Sequence, residues 1–344
     1  MSARAPVTGW DIGGAHLKVA QTGESGALRL VRQIPCPLWQ GMDRLEAALA
    51  AARAALAPSM RHRVTMTGEL ADLFTDRAEG VTRLAAAMRA AWPEAECLLY
   101  AGAEGFVPAA AAAVAAEAVA SANWHATARF AAARLADFLL ADIGSTTTDL
   151  LVSSGGMPCP RGAHDDQRLA CGELVYTGVV RTPLMALGPE VPFAGARVPL
   201  MAELFATTAD IHRLTGDLPA GADQHPSADG RGKTVAESAV RLARMIGRDA
   251  VSAPPAAWRE LARVLAARQS RAIEDAAALV LSAQPLPPAA PVLGAGCGRF
   301  LARRLAAALG RPYRDIGVLF TDDPALAEAA AIAAPAAALA LLED

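Results

Sequence analysis

Along this 344-residue chain, apolar residues recur with two periods, one of strands and one of helices. Residues 6–13 form a short apolar run ending in DIGG, and LKVAQTG with ALRLVRQI continue it in the pattern of antiparallel strands. GMDRLEAALAAARAAL (41–56) then takes helical spacing. RVTMTGE (63–69) reads as a strand, residues near 80–91 as a helix, and ECLLYAG (96–102) as another strand. The Ala-rich segment 108–135 predicts helix in two pieces, with SANWHATARF between or within them. Residues 138–152, FLLADIGSTTTDLLV, have the shape of a hairpin, two apolar runs around a tight turn. Residues 153–233 carry Gly, Pro, Asp and many polar groups, and predict a loop-rich stretch with short elements. Helices resume at 234–247 and 254–283. PVLGAGCGRFLARRLAAAL (291–309) reads as strand, Gly turn and helix, and a strand near 313–319 precedes a final helix. The alternation of strands and helices predicts an α/β fold.

The hairpin at 138–152 holds more polar groups than turning requires. Four hydroxyl residues, Ser145, Thr146, Thr147 and Thr148, stand between Asp142 and Asp149 after Gly144. DIGG at Asp11 carries the same signal 131 residues earlier (142 − 11). Two copies of one hairpin, about one domain apart, predict two related halves facing a cleft, in keeping with the chain length. In both copies an Asp ends an apolar strand and glycines follow (Gly13 and Gly14, then Gly144). Glycines let main-chain N–H groups approach phosphate oxygens, and hydroxyls add donors. Asp11 and Asp142 cannot bind a phosphate directly, but either can hold Mg²⁺, which then bridges to the phosphates. The alternative is a pair of hairpins whose Asp and Thr only cap turns.

Other candidates carry two readings each. Lys18 is either a point charge for a phosphate oxygen or an exposed strand residue, and His16 is either a base or a polar strand residue. GAGCGRF (294–300) departs from a dinucleotide fingerprint, which would need Gly where Arg299 stands. Gly294 and Gly296 then serve either an adenosine or close strand–helix packing. In GELVYTGVVRTPL (172–184), Arg181 is a candidate diphosphate clamp and Tyr176 a substrate-orienting residue. Glu173, Glu203, Asp210 and Asp229 are candidate bases or metal ligands, against ordinary ion pairs and helix caps. Asn123, Trp124 and His125 read as a helix start near the cleft, with core packing the alternative for Trp124. His164-Asp165-Asp166 reads as a solvated loop rather than a metal site.

Composition narrows the class. The chain is 53% apolar with a mean hydropathy of +0.26, enough for a sizeable core, although much of it is Ala. A net charge of −3 and the absence of a basic block argue against nucleic acid. Five scattered cysteines without C-x-x-C spacing argue against a disulfide framework or zinc site, and predict a reducing cytoplasm. MSARAPVTGWDIGG lacks the apolar core of a signal peptide. The Ala-rich stretches 105–122 and 324–342 are interrupted by Pro108, Glu117, Glu328 and Pro335, which predicts water-soluble helices rather than membrane spans.

The paired DIGG and DIGSTTTD motifs resemble the acetate-kinase/sugar-kinase/Hsp70/actin superfamily, and within it the hydantoinase A/oxoprolinase group. GWDIGGAHLK, TMTGELADLF, ANWHATARF, GELVYTGVVRTPL, ELFATTAD and GAGCGRF extend the resemblance over nearly the whole chain, to a family of tetrahydromethanopterin-linked one-carbon proteins that includes a condensing enzyme of methanofuran biosynthesis. This resemblance implies two RNase H-like lobes around a central cleft: 1–135 with DIGG, and 136–344 with DIGSTTTD and a polar insertion at about 153–233. It implies a transferase that joins an aminomethyl-furanmethanol diphosphate to the phenol of a tyramine or tyrosine acceptor, glutamylated or not, and releases diphosphate. The diphosphate and Mg²⁺ would lie between Asp11-Gly13-Gly14 and Asp142-Gly144-Ser145-Thr146-Thr147, and ATP would not be consumed. The superfamily's adenosine pocket, around Gly294 to Gly298, would be vestigial or adapted to the furan. An Arg- and Ala-rich composition points to the bacterial members, found in methylotrophs. Expected partners are these two small molecules, with self-association left open. An ATP-dependent kinase or hydantoinase-like hydrolase, and a non-catalytic nucleotide-binding partner protein, are the alternative readings.

Overall fold

The computed structural model describes residues 5–343, so the first four residues of the N-terminal stretch read above lie outside it. Two compact units emerge. The first draws on the chain up to Asp137, on Ser153–Cys159 and on the chain from Asp315 onward; the second is Phe138–Val152 with Pro160–Arg314. This partition differs from the 1–135 and 136–344 division read from the sequence, because the C-terminal helices pack on the first sheet.

In the first unit, β1 (Val7–Ile12), β2 (His16–Thr22) and β3 (Leu28–Pro35) form an antiparallel meander. After α1 (Met42–Arg53), β4 (Arg61–Met66) returns beside β1 in parallel. After α2 (Arg77–Ala91), β5 (Glu96–Tyr100) adds parallel to β4, and β6 (Phe106–Pro108) closes the edge antiparallel. The sheet order is β3-β2-β1-β4-β5-β6. The Ala-rich stretch folds as α3 (Ala116–Val119) and α4 (Asn123–Ala132), two pieces as its pattern predicts. Alternation along β1 sends Trp10 and Ile12 into a core with Leu45, Leu49, Val81, Leu84 and Met88 of α1 and α2.

In the second unit, β7 (Phe138–Ile143) and β8 (Thr148–Ser154) are the hairpin of the DIGSTTTD motif. A two-residue strand, β9 (Met157–Pro158), pairs with the far end of β8 within the first unit. The polar stretch that follows is loop-rich with short elements, as its composition predicts: α5 (Asp165–Cys171), β10 (Leu174–Val175), the hairpin β11 (Glu190–Phe193) and β12 (Ala196–Pro199), and α6 (Thr208–Thr215). Then come α7 (Val235–Arg244), the long α8 (Pro255–Ala283), β13 (Val292–Ala295) and α9 (Arg299–Ala308). β14 (Tyr313–Asp315) is shorter than the strand predicted near 313–319. The sheet order is β10-β8-β7-β13-β14. With β9, which lies off this path, and the edge strand β6 left out, both sheets run third, second, first, fourth, fifth by order of appearance, and each Asp-Ile-Gly turn joins the first strand to the second. Both units are RNase H-like.

The predicted final helix is three: α10 (Gly317–Phe320), α11 (Pro324–Ile332) and α12 (Ala334–Leu341). α11 and α12 bend by 109° at Ala333, where Pro335 in the first turn of α12 has no N–H to continue the preceding helix. Among the described residues no single helix is long and apolar enough to cross a membrane. α12 lies on β1 and β2 of the first unit, and every one of its residues from Ala334 to Ala340 is buried.

A buried histidine makes the first unit acid-sensitive. Trp10 Nε1 donates to His62 Nδ1 (3.0 Å), and His62 Nε2 faces the Ser59 carbonyl (3.2 Å), which defines a neutral imidazole. Burial pushes its pKa down to about 4 from 6.5. Between those values the unfolded chain takes up a proton that the folded one refuses. The stabilisation is therefore complete above pH 6.5 and lost as pH falls toward 4, by about 3 kcal/mol. Urea unfolding from pH 7 to 4 is expected to show that loss, and His62→Gln to flatten it. An equal slope in the variant would assign the acid sensitivity elsewhere.

Candidate functional site

In the first unit the DIGG turn closes with Gly13 N–H donating to His16 O (2.9 Å), and the start of the next loop docks on it as Thr67 N–H donates to Ile12 O (3.0 Å). A Cβ on Gly68 would stand 3.0 Å from Ile12 O, so that loop lies flat against the turn. The space above Gly14 is open, with no atom within 4 Å of where its Cβ would be. Asp11 is buried and faces Lys18 across the β1–β2 pair; Lys18 Nζ donates to Asp11 Oδ2 at 3.2 Å. The strand register that the sequence left uncertain thus gives Lys18 a carboxylate partner. Asp11 Oδ1 has no hydrogen-bond partner among the described residues, nor has Thr65 Oγ1, whose residue sits beside Asp11 in β4.

In the second unit Gly144 N–H donates to Thr147 O (2.9 Å), closing the turn. Its carbonyls are claimed from behind: Val179 N–H donates to Gly144 O (3.0 Å), and Val180 and Arg181 N–H donate to Ser145 O (3.1 and 2.9 Å). Gly178 makes this possible, since a Cβ there would fall 2.4 Å from Thr146 N. With the carbonyls drawn backward, the Ser145 and Thr146 N–H groups at the apex donate to no acceptor among the described residues. The Ser145 and Thr146 hydroxyls lie together at 3.4 Å. Apical amides without an acceptor among the described residues, beside two hydroxyls on the same turn, form a concavity suited to an anion. Thr148 differs: it is fully buried and its Oγ1 donates to Thr177 O (2.8 Å), so its role is to hold the loop.

The glycines of GAGCG are accounted for by packing on this hairpin. A Cβ on Gly294 would meet the Tyr313 ring at 2.7 Å; one on Gly296 would lie 2.2 Å from Ile143 O and 2.7 Å from Asp142 Oδ1; one on Gly298 would enter the Ile143 side chain. Gly298 N–H also donates to Ile143 O (2.8 Å). Of the two readings of this turn, close packing is the one with geometry behind it. Asp142 is the next-to-last residue of β7, half-buried, opposite Ala295 of β13.

The remaining candidates scatter. Both oxygens of the fully buried Glu173 are taken, by Arg161 N–H (2.7 Å) and Gly162 N–H (3.1 Å), which commits it to a loop clasp rather than to proton transfer. Arg181 and Tyr176 are exposed just beyond β10, and Arg181 reaches the turn through its backbone. Asp210 caps α6 and, with Asp229, pairs with the buried Arg241 (2.8 and 3.1 Å), so both serve an internal ion network. Glu203 is exposed. His164 precedes α5, with Asp165 and Asp166 in its first turn, where the helix dipole favours acids. Asn123 opens α4 in the first unit, and His125 Nδ1 lies 2.8 Å from the buried Tyr100 hydroxyl, its pKa pushed down to about 4 by burial and by Arg129. Among the described residues no group of three His, Cys, Asp or Glu could hold a metal by itself.

Behind the second turn lies a polar core that the sequence reading passed over. Gly178 N–H donates to Thr182 Oγ1 (2.8 Å), Thr208 Oγ1 donates to Gly178 O (2.7 Å), and Gln269 of α8 reaches both Thr177 and Gly178. One signal could have found Gln269: it continues the apolar stripe Leu261, Leu265, Ile273, Val280 of α8 as a lone polar residue. Arg168 braces the same region, its guanidinium donating to Asp149 Oδ1 (2.9 Å) and Glu173 O (3.1 Å) from a fully enclosed position. Arg168→Met is expected to cost about 3 kcal/mol, because it removes an enclosed guanidinium from Asp149 Oδ1 and Glu173 O. Chemical denaturation checks this, and a loss below 1 kcal/mol would show the pair to be dispensable.

The profile of the hydantoinase/oxoprolinase family matches residues 61–337. Among curated proteins, a (4-{4-[2-(gamma-L-glutamylamino)ethyl]phenoxymethyl}furan-2-yl)methanamine synthase from Methanocaldococcus jannaschii is 31% identical over 251 residues, covering 71% of this chain and 72% of that one. A protein of the same name from Methanococcus vannielii is 30% identical over 111 residues, 32% of this chain and 50% of that one. Among solved structures, nucleotide-free acetone carboxylase superposes with a TM-score of 0.55 at 10% identity, covering 90% of this chain and 68% of that one, a likeness of fold. With four-fifths of its length under one profile and a relative matched along most of both chains, the protein belongs to the hydantoinase/oxoprolinase family.

Proposed function

We propose that this protein is a transferase of methanofuran-type cofactor biosynthesis, joining the methylene of an aminomethyl-furanmethanol diphosphate to a phenol oxygen and releasing diphosphate. The observation that carries it is the Gly144–Thr147 turn, whose apical amides face no acceptor among the described residues and stand beside the paired Ser145 and Thr146 hydroxyls. The relatives' names supply the product, a furan-methanamine carrying a phenoxymethyl ether, and the diphosphate and phenol are the substrates that the sequence resemblance implies for it. In the proposed step the methylene C–O bond breaks and its electron pair leaves with the diphosphate. The furan ring delocalises the positive charge on carbon, the phenol oxygen forms the new C–O bond, and its proton passes to a base or to water. Donors fixed on the departing diphosphate act where negative charge grows, which lowers the barrier. The acceptor is a tyramine or tyrosine derivative, glutamylated or not.

Mg²⁺ fits the donor chemistry. Asp11 Oδ1 in the first unit, buried without a partner, and the half-buried Asp142 in the second are each a hard oxygen donor of the kind this ion takes alongside substrate phosphates. When bound, the ion would neutralise charge on the leaving group. Incubation with the furan diphosphate, Mg²⁺ and a glutamyl-tyramine or tyrosine acceptor tests the proposal. Diphosphate and the aryl ether are expected in equal amounts. Neither product, together with robust ATP hydrolysis, would transfer the protein to the ATP-dependent reading.

A further inference from the structure

We infer that Gln269 and His212 are positioning residues of the anion cradle, a buried relay that sets the Ser145–Thr146 turn from behind. Both side chains are fully enclosed. The Gln269 amide nitrogen donates to Thr177 Oγ1 (2.9 Å) and to Gly178 O (2.7 Å). That use of the nitrogen turns the Gln269 oxygen toward His212 Nε2, 2.7 Å away. The contact requires His212 to donate from Nε2, leaving Nδ1 unprotonated. Nδ1 is buried with no partner, as a neutral ring in this tautomer allows. Burial also lowers the His212 pKa, in the direction that keeps the ring neutral.

The relay acts through one peptide. Gly178 lies flat on the Ser145–Thr146 peptide, and the three residues after it hold the Gly144 and Ser145 carbonyls. The position of Gly178 therefore decides where the apical amides point. Gln269 fixes that position from a helix, the kind of rigid element that can hold a binding constellation in productive geometry. A polar residue on the apolar stripe of α8 costs burial energy, and hydrogen bonds at both ends of the Gln269 amide offset it. Its hydrogen bonds converge on the one glycine against which the turn is set.

The inference deepens the proposed transferase site and rests on that reading for its turnover arm, while the binding arm stands apart from it. Inorganic diphosphate with Mg²⁺ is titrated calorimetrically into wild type, Gln269→Glu, His212→Leu and His212→Gln. Gln269→Glu preserves shape but removes both N–H donors, and His212→Leu removes the donor to Gln269; each is expected to weaken diphosphate binding at least about tenfold. His212→Gln restores an N–H donor and is expected to recover most of the affinity. In turnover, KM for the furan diphosphate should rise by the same factor while KM for the phenol stays within about twofold; a merely structural lesion would lower the active fraction and leave both KM values alone. Wild-type affinity in both damaging variants, or absence of diphosphate binding in wild type, would overturn the relay. Intact, relay-dependent diphosphate binding without ether formation would instead sink the transferase reading alone.

Discussion

Asp142→Asn is expected to lower turnover of the furan diphosphate by about 10²–10³-fold while the melting temperature shifts by only about a few degrees. Asp142 sits where β7 ends and the amide-bearing turn begins, half-buried against the backbone of Gly296. A carboxylate repels diphosphate directly, so its use there is as a hard donor for a divalent ion that shares the leaving group's oxygens. Asn keeps the shape and one carbonyl oxygen but removes the charge, so packing survives while charge neutralisation is lost. A loss of that size corresponds to about 3–4 kcal/mol of transition-state stabilisation. A coupled diphosphate-release assay reads the first effect and a circular dichroism melt the second. Full activity would remove Asp142 from the metal assignment. Asp11→Asn is a less clean probe, because Asp11 also holds Lys18.

Gly9→Ala is expected to destabilise the first unit by about 3 kcal/mol or more, among the largest effects of any single methyl group in the chain. A Cβ on Gly9 would fall 2.1 Å from Ala336 O and 2.6 Å from Ala340 N, both backbone atoms of α12. No side chain can swing away to relieve it; either the helix lifts off β1 or the strand shifts register. The approach is close because α12 reads APAAALAL, small residues on the face that meets the strand. Lifting the helix would also break the contacts of the Arg63 guanidinium with the Leu339 and Leu342 carbonyls. Urea denaturation followed by Trp10 and Trp92 fluorescence checks the prediction. A change under 1 kcal/mol would mean that the helix is free to give way at little cost.

Sequence and structure meet most closely at the two hairpins. Asp11 and Asp142 announce themselves through contiguous residues: an apolar run, an Asp, a Gly and a second apolar run. A strand–turn–strand unit makes its hydrogen bonds within about a dozen residues, so its pattern is local and can be read directly. Other candidates share the same local chemistry but have partners far away in sequence. Glu173 stands in a promising polar stretch, yet Arg161 and Gly162 consume its carboxylate. Asp210 and Asp229 have the composition of a metal site, yet Arg241 lies between them. Gly294 and Gly296 look like a nucleotide turn, yet Tyr313 and Ile143 fill the space that their missing side chains leave.

What the amino-acid order determined alone is therefore the element types, the α/β class, the paired turns and their hydroxyl-rich chemistry, because periodicity and turn composition act over a few residues. What the tertiary structure decided is which groups are spent and which remain available. It assigned the C-terminal helices to the first unit through the missing side chain of Gly9, and it set Gln269 behind Gly178, ninety-one residues away in sequence. Contacts of that range depend on how whole sheets and helices pack. No local pattern encodes them, although the lone polar residue on the apolar stripe of α8 marks where one of them had to be.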